Sequence, residues 1–116
     1  MVLVTITAAG CTTSIGKVNA RAENYYGNEI TVAGRVGDIL LRTDTGRAEV
    51  FHLVSDDGER IIVVVPGGIR SKVGDGARIR GELVAQHTYE GRTYYDVVVA
   101  QRVRDRSRWR EFPFIF

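Results

Sequence analysis

The segment at residues 29–43, EITVAGRVGDILLRT, carries the pattern from which the fold is predicted. Apolar or small residues recur at every second position in its first half, which is typical of a strand with one buried face. These inward positions are Ile30, Val32, Gly34 and Val36. Gly34 and Gly37 fall where so long a strand would bend, because a residue without a side chain tolerates sharp coiling. The segment therefore predicts a long, bent first strand.

Four more segments have the composition of strands, at residues 46–58, 59–66, 77–91 and 92–103. Pro66 is expected to end the third, and residues 67–76 are expected to form a loop. A short helix is predicted over 14–27, with Ser14 as its N-cap and Gly27 as its stop. A closed sheet leaves no exposed edges, so we predict an all-β fold with one short helix: a five-stranded Greek-key barrel of the OB-fold type.

The size and composition indicate one soluble, globular domain over residues 1–116. Its predicted parts are an N-terminal strand or signal-like segment (1–13), the helix (14–27), the barrel (28–103) and an extended C-terminal arm (104–116). The net charge of +2, from 16 basic and 14 acidic residues, gives weak attraction to nucleic acid unless the charge is clustered. The single cysteine excludes an internal disulfide and a cysteine-based metal site.

The opening residues MVLVTITAAGC allow two interpretations. Small residues before Cys11 are typical of a lipoprotein signal, in which the cysteine is the lipid attachment point, but the basic start is missing. Alternatively, Val2, Val4 and Ile6 mark a β-strand, because they alternate with Leu3, Thr5 and Thr7 and β-branched residues dominate. We favour the strand and keep lipidation of Cys11 as the condition for membrane attachment.

Three motifs carry a resemblance to a known family. They are Tyr26-Gly27-Asn28 after the helix, Val73-Gly74-Asp75 before the fourth strand, and the alternation of Ile79, Gly81 and Leu83 that repeats the pattern of the first strand. Together they resemble the OB-fold domains of small bacterial and archaeal envelope proteins, many of which are predicted lipoproteins. The resemblance covers about nine-tenths of the chain and implies the fold and an extracytoplasmic or cell-surface location, with the cytoplasm as the alternative. The curtailed signal departs from the family, as does Ala22, which stands where a proline is usual.

Catalysis finds little support in the sequence. Cys11 has no histidine near it to activate a nucleophile, and His52 and His87 have no acidic residues at ligand spacing. The acidic residues at 56–59 are explained by a hairpin turn. We therefore expect no enzymatic activity, no cofactor, no metal and no small-molecule substrate.

One functional hypothesis is binding of single-stranded nucleic acid, which OB-folds achieve with aromatic platforms and cations. The candidate contacts are Phe51, Arg60, Tyr89, Tyr94, Tyr95 and the alternating arginines Arg102, Arg104, Arg106, Arg108 and Arg110. The third strand, IIVVV at 61–65, does not alternate, so both of its faces are expected to be covered. It offers no aromatic ring, which weakens this hypothesis.

The leading hypothesis is self-assembly through the chain ends. Trp109, Phe112, Phe114 and Phe116 crowd the last eight residues together with Ile115, and burying each is worth about 1.5–3 kcal/mol. We expect these residues, with Val2, Val4 and Ile6, to pack on the barrel of a neighbouring copy. A head-to-tail contact of this kind need not close, so the expected product is a homo-oligomer or an extracellular filament.

Overall fold

The structure, a computed structural model, describes residues 12–105. Its described part is mostly strand with one short α-helix, α1 (Ile15–Ala20), followed by a 3₁₀ helix at Ala22–Asn24. The strands are β1 (Glu29–Arg42), β2 (Ala48–Val54), β3 (Arg60–Ile69), β4 (Gly76–Tyr89) and β5 (Arg92–Asp105). They form one closed five-stranded sheet in the order β1-β2-β3-β5-β4. All neighbours are antiparallel except β3 and β5, which are parallel.

The helix is shorter than residues 14–27, the predicted extent. Ser14 caps it as predicted, because its Oγ accepts from the Lys17 amide at 3.0 Å. The α-helix ends at Ala20, because the next residue, Arg21, has a φ of −145° outside the helical region, and the chain continues as the 3₁₀ helix. This change keeps Ala22 and Tyr25 packed against the core that Ile15 and Val18 enter. The α-helix therefore ends well before Gly27, its predicted stop.

The long strand β1 changes partners along its length. Its first half pairs with β4 and its second half with β2, with irregular register after Val36. A Cβ on Gly34 would lie 2.4 Å from the Val54 carbonyl oxygen, so only glycine fits where β1 crosses β2. The glycine is therefore required by the close approach of β2, and the predicted bend at this position stays a prediction.

Strand β3 does not end at Pro66, as predicted, but continues to Ile69. Between Val64 and Ile69 its register with β2 is interrupted, and Gly67 and Gly68 have φ of +84° and +77°. A proline is tolerated there because a bulge does not require its missing N–H in the ladder. The predicted loop is therefore partly strand.

Two of the motifs that carry the family resemblance form turns attached to the sheet. In the first, Gly27 has a φ of +82° and its amide donates to the Leu83 carbonyl at 2.8 Å. In the second, Gly74 has a φ of +96° and its amide donates to the Val36 carbonyl at 2.7 Å. Both turns need a left-handed backbone, which explains the glycines.

The main core fills the inside of the closed sheet. It contains the buried side chains of the inner faces, namely Ile30, Val32, Val36, Phe51, Leu53, Ile61, Val63, Val65, Ile79, Leu83, Val98 and Val103, with Ile15 and Val18 of α1. Phe51 is the largest of its fully buried residues. The helix thus adds two fully buried side chains to this core.

Candidate functional site

A second apolar cluster, here called the outer cluster, lies on the other side of the sheet. Its buried members are Val50, Val64, Tyr94 and Val97, and Leu41, Ile62, Val84 and Tyr89 pack against them. Alternate residues of β3 therefore enter two separate cores, which explains why residues 61–65 do not alternate in polarity. Within residues 12–105, the covering side chains come from the end of β4 and the start of β5.

The tip of the β4–β5 hairpin is attached to β2 through Glu49. The Tyr89 hydroxyl donates to Glu49 Oε2 at 2.5 Å, and the Gly67 amide donates to the same oxygen at 3.3 Å. Burial, followed by the hydrogen bond to Glu49, raises the pKa of Tyr89 to about 12. The hairpin is thereby held over the outer cluster.

This arrangement covers part of the outer face of β2 and β3, on which the nucleic-acid hypothesis depends. Phe51, predicted as a nucleic-acid contact, has no exposed surface and lies in the main core. The reason is one extra residue in β2 between Ala48 and Val50 relative to β1, so that Ala48 and Phe51 both face the main core while Val50 lies in the outer cluster. Phe51 therefore has no ring face for a base in this conformation.

The tyrosines predicted as contacts are separated by the same arrangement. Tyr94 is 9% exposed within the outer cluster, and Tyr89 stacks beside His87 with ring centroids 6.5 Å apart. Tyr95 is 63% exposed and points away from both. Of the four aromatic residues predicted as contacts, Tyr95 alone presents its ring freely.

Arg60, also predicted as a nucleic-acid contact, lies in a small charged group at the start of β3. Its guanidinium is 3.9 Å from Asp38, and His52 Nδ1 is 4.0 Å from the same carboxylate. Burial, and then the charge of Arg60, lower the pKa of His52, while Asp38 opposes them. Ion pairs this exposed contribute at most about 1 kcal/mol. The group holds no nucleophile beside a base.

Four arginines meet on the outer face of β4 and β5, and we call them the arginine block: Arg78, Arg80, Arg102 and Arg104. Arg78 lies directly opposite Arg104, and Arg80 opposite Arg102. The alternation of β4 indicated outward positions for Arg78 and Arg80. That they lie opposite Arg104 and Arg102 depends on the register of β4 and β5, which side-chain alternation alone does not give.

The β4–β5 hairpin extends beyond the closed part of the sheet as a two-stranded ribbon, residues 84–96. Among the described residues, β4 beyond Leu83 pairs only with β5, and β5 before Val97 pairs only with β4. Each strand of the ribbon therefore has one edge whose backbone groups pair with no other described strand.

The remaining predicted site residues lie outside the described residues. They are Val2, Val4, Ile6, Cys11, Arg106, Arg108, Trp109, Arg110, Phe112, Phe114 and Phe116. The last described residue, Asp105, is still in β5 and pairs with Ala77, the second residue of β4.

Two searches for chemical or membrane features concern residues 12–105 alone. No three His, Cys, Asp or Glu side chains there are grouped so that they could hold a metal ion. None of the helices in this range has the length and apolar character needed to cross a bilayer.

No protein-family model matches this sequence, and no curated protein matches it significantly. Among solved structures, a DUF3299 family protein from Pseudomonas aeruginosa PAO1 is similar, with a TM-score of 0.60 and 13% sequence identity. The match covers 85% of this chain and 97% of that protein. At this identity the likeness concerns the fold alone.

Proposed function

We propose that the closed sheet is an OB-fold Greek-key barrel and that the protein is a non-enzymatic assembly module. The strand order β1-β2-β3-β5-β4, closed by β1 against β4, supports the first part. The burial of Ile15 and Val18 of α1 in the core of the closed sheet agrees with it. The family resemblance of the sequence points to the same fold.

The observation that carries the assembly proposal is that β5 reaches the end of its partner strand. Asp105 pairs with Ala77, and β4 begins only one residue earlier, at Gly76. The alternation of β5 nevertheless continues in the sequence through Phe112, Phe114 and Phe116. Since β4 begins at Gly76, it has little backbone left to pair with a longer β5, and we propose that the arm supplies a strand to another copy.

The ribbon at 84–96 is the acceptor that we propose for this arm. An extended segment adds to an exposed sheet edge through main-chain hydrogen bonds, and its alternate side chains give register. Because the donor arm and the acceptor ribbon are different surfaces of one chain, the contact is heterologous and generates a ring or a filament. The apolar N-terminal residues Val2, Val4 and Ile6 would pack at the same junction.

The test compares two triple variants of the same arm. F112S/F114S/F116S removes the apolar side chains, and R106S/R108S/R110S removes the alternating charges. We expect the wild type and the arginine variant to form assemblies that persist at ~1 M NaCl, where the Debye length is about 3 Å. The phenylalanine variant should have the mass of one subunit by light scattering. An unchanged assembly in that variant would contradict the proposal.

The resemblance to envelope proteins supports an extracytoplasmic location. Attachment to a membrane requires that Cys11 carries a lipid. We expect wild-type protein made in cells to carry a lipid on Cys11 only if the signal-like segment is processed. Mass spectrometry of the membrane and soluble fractions, with Cys11→Ser as the control, decides this. An unmodified Cys11 in both fractions would contradict membrane attachment through this residue.

A further inference from the structure

The arginine block has a geometry that the assembly proposal does not use. Residues directly opposite in an antiparallel pair share a face, with Cβ atoms about 4.5–5.5 Å apart. Residues two apart along a strand are about 6.7 Å apart. Arg78 and Arg104 form one such pair, and Arg80 and Arg102 the other. Four guanidinium groups thus arise from a small rectangle of sheet.

The block faces solvent. The two residues between its members, Ile79 and Val103, are buried in the main core, so the arginines lie on the outside. Arg78, Arg102 and Arg104 are exposed, and Arg80 is half-buried. An incoming ligand can therefore approach the block without a change in the sheet.

Two acidic side chains, Glu29 and Glu82, lie beside the block on the described strands. Glu29 accepts from Arg80 at 2.8 Å, and Glu82 lies beside Glu29 in the register of β1 and β4. Arg78 and Arg104 lie directly opposite each other, and like charges in such a position are destabilising. An anion that binds between the two arginines would reduce their repulsion. The face is therefore suited to an anionic partner.

The nature of that partner follows from what surrounds the block. Here β4 is paired on both sides, with β1 and with β5, whereas β5 beyond Val99 pairs, among the described strands, with β4 alone. A peptide strand could add only at that edge of β5, while the arginine side chains of the block lie on the face of the sheet. A linear phosphate polymer needs only cations, because its affinity comes from counterion release. Guanidinium forks bind phosphate oxygens in pairs. In the sequence the arginines continue at the same spacing, at 106, 108 and 110.

We propose that the arginine block is a binding site for a linear phosphate polymer, which it holds by the phosphates and without reading bases. The site is on β4 and β5, away from the covered face of β2 and β3. It does not depend on the apolar arm, so the assembly proposal can fail while this one stands.

The probe is a fluorescent oligothymidylate longer than the ~4–16 nucleotides that one OB-fold covers, with affinity measured by anisotropy against salt. Each phosphate neutralised on a single strand contributes about −0.7 to the slope of log K against log salt. The variant R78S/R104S should therefore make the slope shallower by about 1.4. The matched control R70S/R92S removes two exposed arginines outside the block and should leave the slope near that of the wild type.

Competitors identify the class of polymer. Inorganic polyphosphate and an oligoadenylate of equal charge should displace the probe as well as oligothymidylate does. Three results would overturn the proposal: equal loss of slope in R70S/R92S, equal competition by polyglutamate, or no binding of the oligonucleotide at low salt. Circular dichroism of R78S/R104S confirms that any loss of binding occurs in a folded protein.

Discussion

Replacing Gly81 by alanine tests the closest approach within the sheet. At this point β5 contains one extra residue relative to β4, because Arg80 pairs with Arg102 and Gly81 with Ala100. A Cβ on Gly81 would lie 2.1 Å from the Val99 carbonyl oxygen and 2.8 Å from its carbonyl carbon. Both atoms belong to the backbone and cannot rotate away.

The size of the effect can be worked out from these distances. Ordinary contact begins at 3.4 Å, so the strands would have to separate by about 1.3 Å. Overpacking costs about 1–3 kcal/mol and more where the backbone must move. We expect Gly81→Ala to lower the free energy of unfolding by about 3 kcal/mol, and the Tm by ~10–20 °C in a domain of this size.

Thermal and urea unfolding followed by circular dichroism measure this change. Gly16→Ala is the control, because its Cβ would lie 3.4 Å from the flexible Glu59 side chain and Gly16 belongs to α1. There the higher helix propensity of alanine predicts equal or greater stability, by up to about 1 kcal/mol. A Gly81→Ala variant within about 0.5 kcal/mol of the wild type would refute the proposed closeness of β4 and β5.

Three smaller predictions concern single side chains. Tyr89→Phe removes the hydrogen bond to Glu49 and should lower the free energy of unfolding by about 1 kcal/mol. The pKa of Tyr89 is about 12 in the folded protein against an ordinary value of 10.0, so the stability of the wild type should fall as the pH rises through this interval. An equal fall in the urea midpoint of the variant would show that Tyr89 is not the group that titrates. The pKa of His52 is lowered by burial and by Arg60, so the stability of the wild type should fall as the pH drops below 6.5. His52→Gln should flatten the dependence of Tm on pH below 6.5, and an unchanged dependence would contradict this role of His52. Ser14→Ala should cost about 1 kcal/mol in urea unfolding and Ser14→Asp little, whereas equal losses would exclude a capping role.

The elements that could be predicted from the sequence are those set by local pattern. The period of two in β1 and β4, the cap at Ser14 and the need for a glycine at position 34 each depend on a few neighbouring residues. Their physical causes, side-chain alternation, capping and the absence of a Cβ, act within a few residues of the chain. These features could therefore be predicted from the sequence alone.

The parts that could not be predicted depend on register and on irregular backbone. The bulge after Ala48 turns Phe51 inward, and a simple alternation cannot show it. Tyr89 reaches Glu49 across 40 residues of sequence. The meeting of Arg78 with Arg104 likewise needs the pairing of β4 with β5. These three features determine which of the predicted side chains are exposed and which lie together, and no local motif reveals them.

The most direct measurement for the assembly account is a photocross-link from the arm. The full chain carries p-benzoylphenylalanine in place of Phe114, and subunits labelled with ¹⁵N are mixed with unlabelled ones before irradiation. The account predicts mixed-isotope cross-links from position 114 to the ribbon at residues 84–96 of another subunit. Cross-links found only within one subunit, or only to surfaces other than the ribbon, would contradict it.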